Sequence, residues 1–169
     1  MVSASKNKCY DNVAGILVIL LPNLSVKTSS DITISNNHVY NNNHVNFADP
    51  EDGLEAAVPS GSGILVVGTD KTIVRDNHVS DNNFVGIATV STVIIGSLAG
   101  LPPSAFSDIE PNPDGTQVIR NILTDNGSAP PSNLPLPGVD LLWDGSGTNN
   151  CWSNNHYDTS YPATLPSCN

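Results

Sequence analysis

The chain has 169 residues and a formal charge of −10, with 6 Lys and Arg residues against 16 Asp and Glu residues. So few cations argue against a nucleic-acid partner, and the longest apolar run, residues 13–21, is too short to span a membrane. Val, Ile and Leu total 42, whereas strong helix formers are scarce, which indicates one β-rich domain over residues 1–169 with a substantial core.

Asparagine is the unusual feature of the composition, with 21 residues, and many of them recur in one pattern. In each copy an apolar or small residue stands three positions before an Asn and an apolar or aromatic residue two positions after it. The first Asn of each copy is Asn7, Asn37, Asn77, Asn121 and Asn155, and a second Asn five positions later is Asn12, Asn42, Asn82 and Asn126. Repeats of this kind are typical of solenoids.

Taken in chain order, each copy predicts two short strands around its first Asn, and a Gly-led apolar strand follows the first four copies. The spacing between copies is irregular because insertions rich in Pro, Gly, Ser and Asp interrupt them over residues 46–62, 97–115 and 128–137. No helix of useful length is predicted, although residues 51–58 could form one or two helical turns.

The repeats predict an all-β fold, a right-handed parallel β-helix of about five rungs with long loop insertions. Asn suits sharp corners because it tolerates left-handed backbone angles better than most residues with a Cβ atom. Stacked about 4.8 Å apart, the amides of Asn7, Asn37, Asn77, Asn121 and Asn155 are expected to form a hydrogen-bonded ladder. Residues 143–169 are expected to cap one end. The first rung has no such cap, which predicts dimerisation or an end-to-end partner there.

Several stretches resemble bacterial parallel β-helix repeat-containing proteins of the pectate-lyase-like superfamily. They are residues 11–18, 39–43 with 46–48, and 58–66, together with a C-terminal signature over residues 144–155, 159–162 and 165–168. The resemblance covers nearly the whole chain and implies an exported, right-handed parallel β-helix. It implies no particular reaction. Members of the family normally carry more N-terminal rungs, so the chain is expected to be the C-terminal portion of such a solenoid.

The three cysteines leave the pairing ambiguous by number alone. Cys151 and Cys168 flank the expected cap, and a disulfide between them would stabilise it by roughly 3 kcal/mol. Cys9 stands at a repeat position that is apolar in the other copies, so we expect it to point inward. A disulfide, together with the family resemblance, favours a secreted, periplasmic or cell-surface location. The chain itself shows no signal peptide.

Two groups of residues could bind metal ions. Four acids in one insertion are candidates for Ca²⁺: Asp49, Glu51, Asp52 and Glu55. His38 and His78 follow successive ladder Asn residues and should be stacked neighbours able to chelate a metal, with Asp76 or His44 as a further ligand. In each case the alternative is a solvated polar surface without an ion. Calcium is therefore a possible cofactor rather than a required one.

Catalysis by this chain is disfavoured but stays open. Polysaccharide lyases of the superfamily use Ca²⁺-binding carboxylates with an Arg or Lys base, and the weak candidates here are Arg75, Asp76 and Asp52. Hydrolases need paired acids, and the recurring acidic signatures of that group are missing.

The two long loops 46–62 and 128–137 leave the same corner of the solenoid and could wall a groove for an extended glycan. Phe84 would lie on the floor of this groove, Tyr40 would face outward to stack on a sugar, and Asp81 is a third candidate ligand residue. The function expected from the sequence is therefore an extracytoplasmic module that binds extended polysaccharide. The alternatives are a lyase, epimerase or hydrolase with its site near the 46–62 loop, and a passive scaffold.

Overall fold

Each of the first four turns of the chain contributes one strand to each of three parallel sheets, and the fifth turn contributes a strand to sheets 1 and 3. The computed structural model describes residues 2–132 and 134–169, without the side chain of Pro50. Sheet 1 consists of β1 (Val2–Ser5), β4 (Ile32–Ser35), β7 (Ile73–Arg75), β10 (Gln117–Ile119) and β13 (Cys151–Ser153). Sheet 2 consists of β2 (Lys8–Tyr10), β5 (His38–Tyr40), β8 (His78–Ser80) and β11 (Ile122–Thr124). Sheet 3 consists of β3 (Ala14–Ile19), β6 (Ser62–Val67), β9 (Val85–Val90), β12 (Val139–Trp143) and β14 (Ser160–Tyr161).

All strand pairs are parallel, and equivalent repeat positions lie directly above one another. Ile34 pairs with Val74, and Val74 pairs with Val118. In sheet 2 the register runs from Val39 to Val79 and on to Leu123. The β-helix of about five rungs predicted from the sequence is therefore confirmed.

The core of the coil is filled by the inward residue of each short strand. Ile34, Val39, Val74 and Val79 are completely buried, and Cys9 packs against this cluster as predicted. Burial raises the pKa of the Cys9 thiol.

Tight turns bring the start of sheet 3 close to this core. A Cβ atom on Gly63 would lie 2.4 Å from the carbonyl oxygen of Gly86, so only glycine fits there.

The left-handed backbone conformation at the corners belongs to the residue before each ladder Asn. At the corner between sheets 1 and 2, positive φ angles occur at Lys6, Asn36, Asp76, Arg120 and Asn154. At the corner between sheets 2 and 3, they occur at Asp11, Asn41, Asp81 and Asp125. The expectation that the ladder Asn residues adopt this conformation is thus wrong. Their role at the corner is hydrogen bonding, since the preceding residue makes the turn.

The ladder itself is confirmed. In the first ladder each side-chain amide donates to the Oδ1 atom of the Asn in the next rung, over 2.9–3.0 Å from Asn7 to Asn155. The same Oδ1 atoms also accept the backbone N–H of the Asn below. A second ladder of the same kind runs from Asn12 to Asn126 and ends on Asp140. Because most of these Asn residues are buried, each bond satisfies a polar group that water cannot reach.

The insertions cover the outer face of sheet 3 with a second apolar cluster. Leu65, Val67, Ala88 and Leu142 point outward from the sheet into this cluster, where side chains of the loops cover them. Phe84 lies in the same cluster and is 3% exposed. The prediction that Phe84 lines an open groove is therefore wrong, because the loops fold onto the apolar sheet instead of standing beside it.

Within the described residues, helical structure lies in the insertions or directly before them. Helix α1 (Thr92–Leu98) begins at Ser91, whose hydroxyl caps the backbone N–H of Val93. The sequence did not predict this helix because its β-branched residues have low helix propensity. Two short 3-10 helices span Pro50–Asp52 and Pro103–Phe106. Within the described residues, no helix is long and apolar enough to cross a membrane.

The C-terminal segment covers the last turn of the coil. β14 adds to sheet 3 beside β12, and Ser167 forms a bridge with Trp152 of β13. Leu165 packs on the core, and the predicted disulfide between Cys151 and Cys168 is present. The cross-link ties the last residues of the chain to the fifth rung.

Candidate functional site

The three outer faces of the solenoid differ in what they offer a ligand. The outer face of sheet 3 is buried under the insertions from the second turn to the fourth, whereas Leu17 in the first turn is 37% exposed. The outer face of sheet 1 carries scattered small, polar and aliphatic residues such as Thr33, Gln117 and Ser153. The outer face of sheet 2 carries a cluster of aromatic and imidazole rings. We call it the sheet 2 face, and it is the candidate functional site.

The sheet 2 face consists of two columns of outward side chains, because each three-residue strand points its first and last residues away from the core. The first column is Lys8, His38, His78 and Ile122, and the second is Tyr10, Tyr40, Ser80 and Thr124. Along the second column the side chains become smaller, from the phenol rings of Tyr10 and Tyr40 to the hydroxyl side chains of Ser80 and Thr124. The sequence prediction that Tyr40 faces outward is consistent with this arrangement.

The rings stack along the axis of the solenoid. The centroids of Tyr10 and Tyr40 are 5.2 Å apart with planes 13° from parallel. His38 and His78 are 5.0 Å apart and 3° from parallel, and His38 also contacts Tyr40 at 4.4 Å. Tyr10 is 49% exposed. Register stacks these side chains, since equivalent positions repeat at about the strand spacing of 4.8 Å.

The stacking bears on the proposed metal site at His38 and His78. A lone pair of imidazole nitrogen lies in the plane of its ring, so parallel rings on separate planes do not direct two lone pairs at one ion. Burial, His78 and Lys8 together lower the pKa of His38, which favours its neutral form. His44, another predicted ligand, contacts the ring of Phe47 edge-on instead.

A polar column borders the sheet 2 face at the corner with sheet 3. It consists of the left-handed residues Asp11, Asn41, Asp81 and Asp125, all exposed. The Asn41 amide donates to Asp11 over 2.8 Å, and the Asn43 amide donates to the backbone oxygen of Asp81 over 2.8 Å. Asp81, a ligand candidate from the sequence, therefore lies beside Ser80 at the edge of the face.

The catalytic candidates do not assemble into a reactive group. Asp76 accepts hydrogen bonds from Arg75 over 2.8 Å and from Arg120 over 2.8 and 3.0 Å. The bond from Arg120, together with Arg75, holds the pKa of Asp76 below its ordinary value. The guanidinium groups of Arg75 and Arg120 are therefore both paired with the Asp76 carboxylate. Asp52 lies in the loop over sheet 3 and accepts a bond from the backbone of Asp49. No paired acid and base result from these three residues.

The acids predicted to bind calcium do not converge on one point. Asp49 caps the 3-10 helix by accepting the N–H of Glu51, and Asp52 completes a capping box. Among the described residues, the acids that do converge are Asp70, Glu110 and Asp114, with one oxygen of each within 4.8 Å of the others. Asp70 and Asp114 accept hydrogen bonds from neighbouring backbone N–H groups, so they hold the ends of an insertion in place.

A groove of about 440 Å³ lies between the 46–62 loop and the first turn of the coil. Phe47 lines it together with Leu17, Asp11 and Glu55, and Phe47 is 85% exposed. Sequence reasoning missed both Phe47 and Tyr10 as surface aromatics. Tyr10 could have been found from the repeat, because the third residue after each ladder Asn points outward. Phe47 lies in an insertion, where no repeat predicts direction.

Comparison with known proteins agrees with this architecture. No curated protein and no solved structure matches the chain significantly. The family model described as the right handed beta helix region matches residues 2–95, which is more than half of the chain. The chain therefore belongs to the right-handed β-helix family.

Proposed function

We propose that this protein is an extracytoplasmic module that binds an extended, uncharged polysaccharide on the sheet 2 face. The single observation that supports this most is the stack of Tyr10, Tyr40, His38 and His78, in which Tyr10 and His78 are exposed and Tyr40 and His38 are half-buried, bordered by a polar column. Aromatic rings with a few polar groups beside them are typical of ligand sites, and the C–H face of a sugar packs well on an aromatic ring.

The register suggests where a sugar would sit. One face of the Tyr40 ring is covered by Tyr10, and the next position in the column is the small residue Ser80. Ser80 is only 7% exposed, so a pyranose would pack its C–H face on the exposed part of the Tyr40 ring rather than on Ser80. Its hydroxyls would lie near Asp81 and His78, which supply an acceptor and an imidazole. The remaining rungs repeat along the axis, which suits a polymer rather than a single sugar.

Charge favours an uncharged polymer. The formal charge of −10 opposes the approach of a polyuronate, whose carboxylates would add to the repulsion. An extracytoplasmic location is compatible with the Cys151–Cys168 disulfide, since such bonds persist in oxidising compartments. Affiliation with the bacterial, pectate-lyase-like branch of the family belongs to the same proposal and rests on the C-terminal residues 144–155 and 159–168.

Calorimetric titration tests the proposal with soluble xylan and β-glucan oligosaccharides and with oligogalacturonate as the charged comparison. We expect binding of a neutral polymer, and Tyr40→Ala should weaken it at least about tenfold, because one lost ring contact is worth about 1.4 kcal/mol or more. Tyr40→Phe should retain most of the affinity. Gln117→Ala, on the exposed outer face of sheet 1, is the matched control and should bind like the parent.

The same polymers distinguish the alternatives. Ultraviolet absorbance from an unsaturated product, lost on addition of EDTA, would favour a lyase over a binding module. If no polymer is retained and no product forms, a passive scaffold is the remaining alternative. Unchanged affinity in Tyr40→Ala would exclude the sheet 2 face as the binding site.

A further inference from the structure

We propose that the polysaccharide bound by the sheet 2 face is zwitterionic, with cationic substituents on one side of the polymer, anionic substituents on the other, and a net charge of zero. This inference rests on the proposed function and specifies the chemical class of its ligand. It follows from the distribution of charge around the face, because side chains of one sign lie along one edge and side chains of the other sign lie along the opposite edge.

The edge at the corner with sheet 1 is cationic. We call it the cationic edge, and it contains four of the six Lys and Arg residues of the chain: Lys6, Lys8, Arg75 and Arg120. One acid, Asp76, shares this edge, so four cations and one anion give it a formal charge of +3. The remainder of the chain therefore carries −13 to give the total of −10. Positive charge is thus concentrated beside the sheet 2 face in an otherwise acidic protein.

The edge at the corner with sheet 3 is anionic. It is the polar column, in which Asp11, Asp81 and Asp125 carry a formal charge of −3 and Asn41 carries none. We call this column the anionic edge. All of its residues are exposed, so a ligand on the sheet 2 face can reach them.

Opposite charges stand at the two ends of the same turns. The three pairs, in the first, third and fourth turns, are Lys8 with Asp11, Arg75 with Asp81 and Arg120 with Asp125. The second turn has no formal charge at either end, and there His38 and Tyr40 lie between the two edges. A polymer that runs along the axis of the coil over these rings therefore meets positive charge on one side and negative charge on the other.

Most of these charges are available to a ligand. Within the part of the chain that the structure describes, no ion pair includes a residue of the anionic edge or either lysine of the cationic edge. Arg75 and Arg120 share Asp76, which leaves one positive charge of this group uncompensated. The side chain of Arg120 remains 52% exposed in spite of this pairing.

The width of the face keeps the two edges independent. Asp125 follows Arg120 by five positions, and at about 3.3 Å per residue the two charges lie up to about 16 Å apart. This separation exceeds the Debye length of about 8 Å at physiological ionic strength, so the edges do not neutralise each other. Each edge acts on a separate group of the ligand.

Only a ligand with both signs of charge gains at both edges. A polyanion is repelled by the anionic edge, and a polycation is repelled by the cationic edge. A neutral polymer gains nothing from either edge. A polymer with both kinds of substituent is attracted on both sides, and its net charge of zero adds no repulsion from the acidic chain.

Calorimetric titration with four short oligosaccharides on one backbone tests the inference. They are chitin (neutral), chitosan (cationic), carboxymethyl chitin (anionic) and carboxymethyl chitosan (zwitterionic), in a buffer that ionises both kinds of substituent. We expect carboxymethyl chitosan to bind at least about threefold tighter than chitin at low ionic strength, because exposed charge pairs add modestly to affinity. This advantage should disappear in about 1 M salt, where the Debye length is about 3 Å. No advantage, or an equal one for either singly charged oligosaccharide, would overturn the inference.

Two substitutions remove charge from the edges while preserving the left-handed corners. Arg120→Asn and Asp125→Asn introduce asparagine, which the second turn carries at both positions. Each should reduce the preference for carboxymethyl chitosan over chitin at least about twofold. Lys71→Asn and Asp31→Asn are the matched controls, because both positions are left-handed and exposed but lie at the corner between sheets 3 and 1. The controls should keep the preference of the parent, and an equal loss in them would overturn the role of the two edges.

The neutral oligosaccharide separates failure of this inference from failure of the proposed function. Binding of chitin that depends on Tyr40, without a preference for carboxymethyl chitosan, would leave the sheet 2 face as a glycan site and overturn the zwitterionic class. If none of the four oligosaccharides binds, the proposed function fails together with the inference. A second copy of the chain also offers both signs of charge. A mass of two chains by light scattering at low ionic strength, falling to one chain in high salt, would assign the edges to an interface between copies and overturn the inference.

Discussion

The outer faces of sheets 2 and 3 belong to the same coil, yet one is exposed and the other forms a second core. All six residues of β6 are buried, whereas β8 exposes His78. The strands of sheet 3 are apolar at inward and outward positions alike, so their outer face must be covered. In the three-residue strands of sheet 2 the middle residue is always apolar, whereas the outward residues are polar or aromatic except for Ile122. Coverage of a solenoid face is thus decided by the outward residues of its strands.

The largest expected effect comes from truncating an outward residue of sheet 3. Leu142 is 1% exposed, so Leu142→Ala should lower the free energy of unfolding by about 3 kcal/mol, through lost burial and the cavity left behind. The matched change on sheet 2 is Ile122→Ala. Ile122 is 50% exposed, and its truncation should cost less than about 1 kcal/mol. Urea unfolding measures both, and equal losses would contradict the distinction between the two faces.

A smaller effect is expected at the corner between sheets 1 and 2. In Asn77→Ala, the buried N–H and side-chain amide of Asn37 lose their acceptor, which should cost about 2 kcal/mol. Asn7 has the same place in the repeat but is exposed in the first turn.

Asn7→Ala is therefore the control for the ladder and should cost less than about 1 kcal/mol. Urea unfolding again measures both variants. If the two losses were equal, hydrogen bonding along the buried part of the ladder would not be what stabilises the corner.

The smallest effect is a pH dependence confined to the exposed face. The pKa of His38 is lowered in the folded protein by burial, His78 and Lys8, so the unfolded chain binds more protons as the pH falls through the ordinary value of 6.5. Stability should therefore decrease as the pH falls through 6.5 and level off once the pH is below the lowered pKa of the folded protein. His38→Gln should flatten this part of the profile, measured by thermal unfolding. A profile identical to that of the parent would show that His38 does not contribute to the pH dependence of stability.

Much of the site could be predicted from the repeat. The position after each ladder Asn and the position three after it point outward, which places His38, His78 and Tyr40 on one surface. The register of the strands then stacks them. Asp81 follows directly as the corner residue beside that surface. These predictions depend only on the alternation of side chains and on the spacing between rungs.

Apart from the left-handed conformation expected of the ladder Asn residues, the predictions that failed concern the insertions. Phe84 was expected on the floor of a groove, but the loops on either side fold down and bury it. The four acids of the 46–62 loop were candidates for binding one Ca²⁺ ion, but Asp49 and Asp52 cap a short helix instead. A continuous apolar strand such as β6 is a signal that both faces are buried, and this signal could have corrected the prediction for Phe84.

The sequence by itself determined the coil: the ladder Asn residues, the inward apolar positions and the register of the three sheets. These features repeat, and each copy interacts mainly with the equivalent residues of the next rung, so the pattern is visible along the chain. Only the tertiary structure decided how the insertions lie on the apolar outer face of sheet 3, because the insertions carry no repeat. Their positions depend on contacts between residues distant in the chain, such as the packing of Leu54 and Leu134 in one cluster. Burial of apolar area is non-directional, so it holds the insertions on this face without leaving a periodic signal in their own sequence.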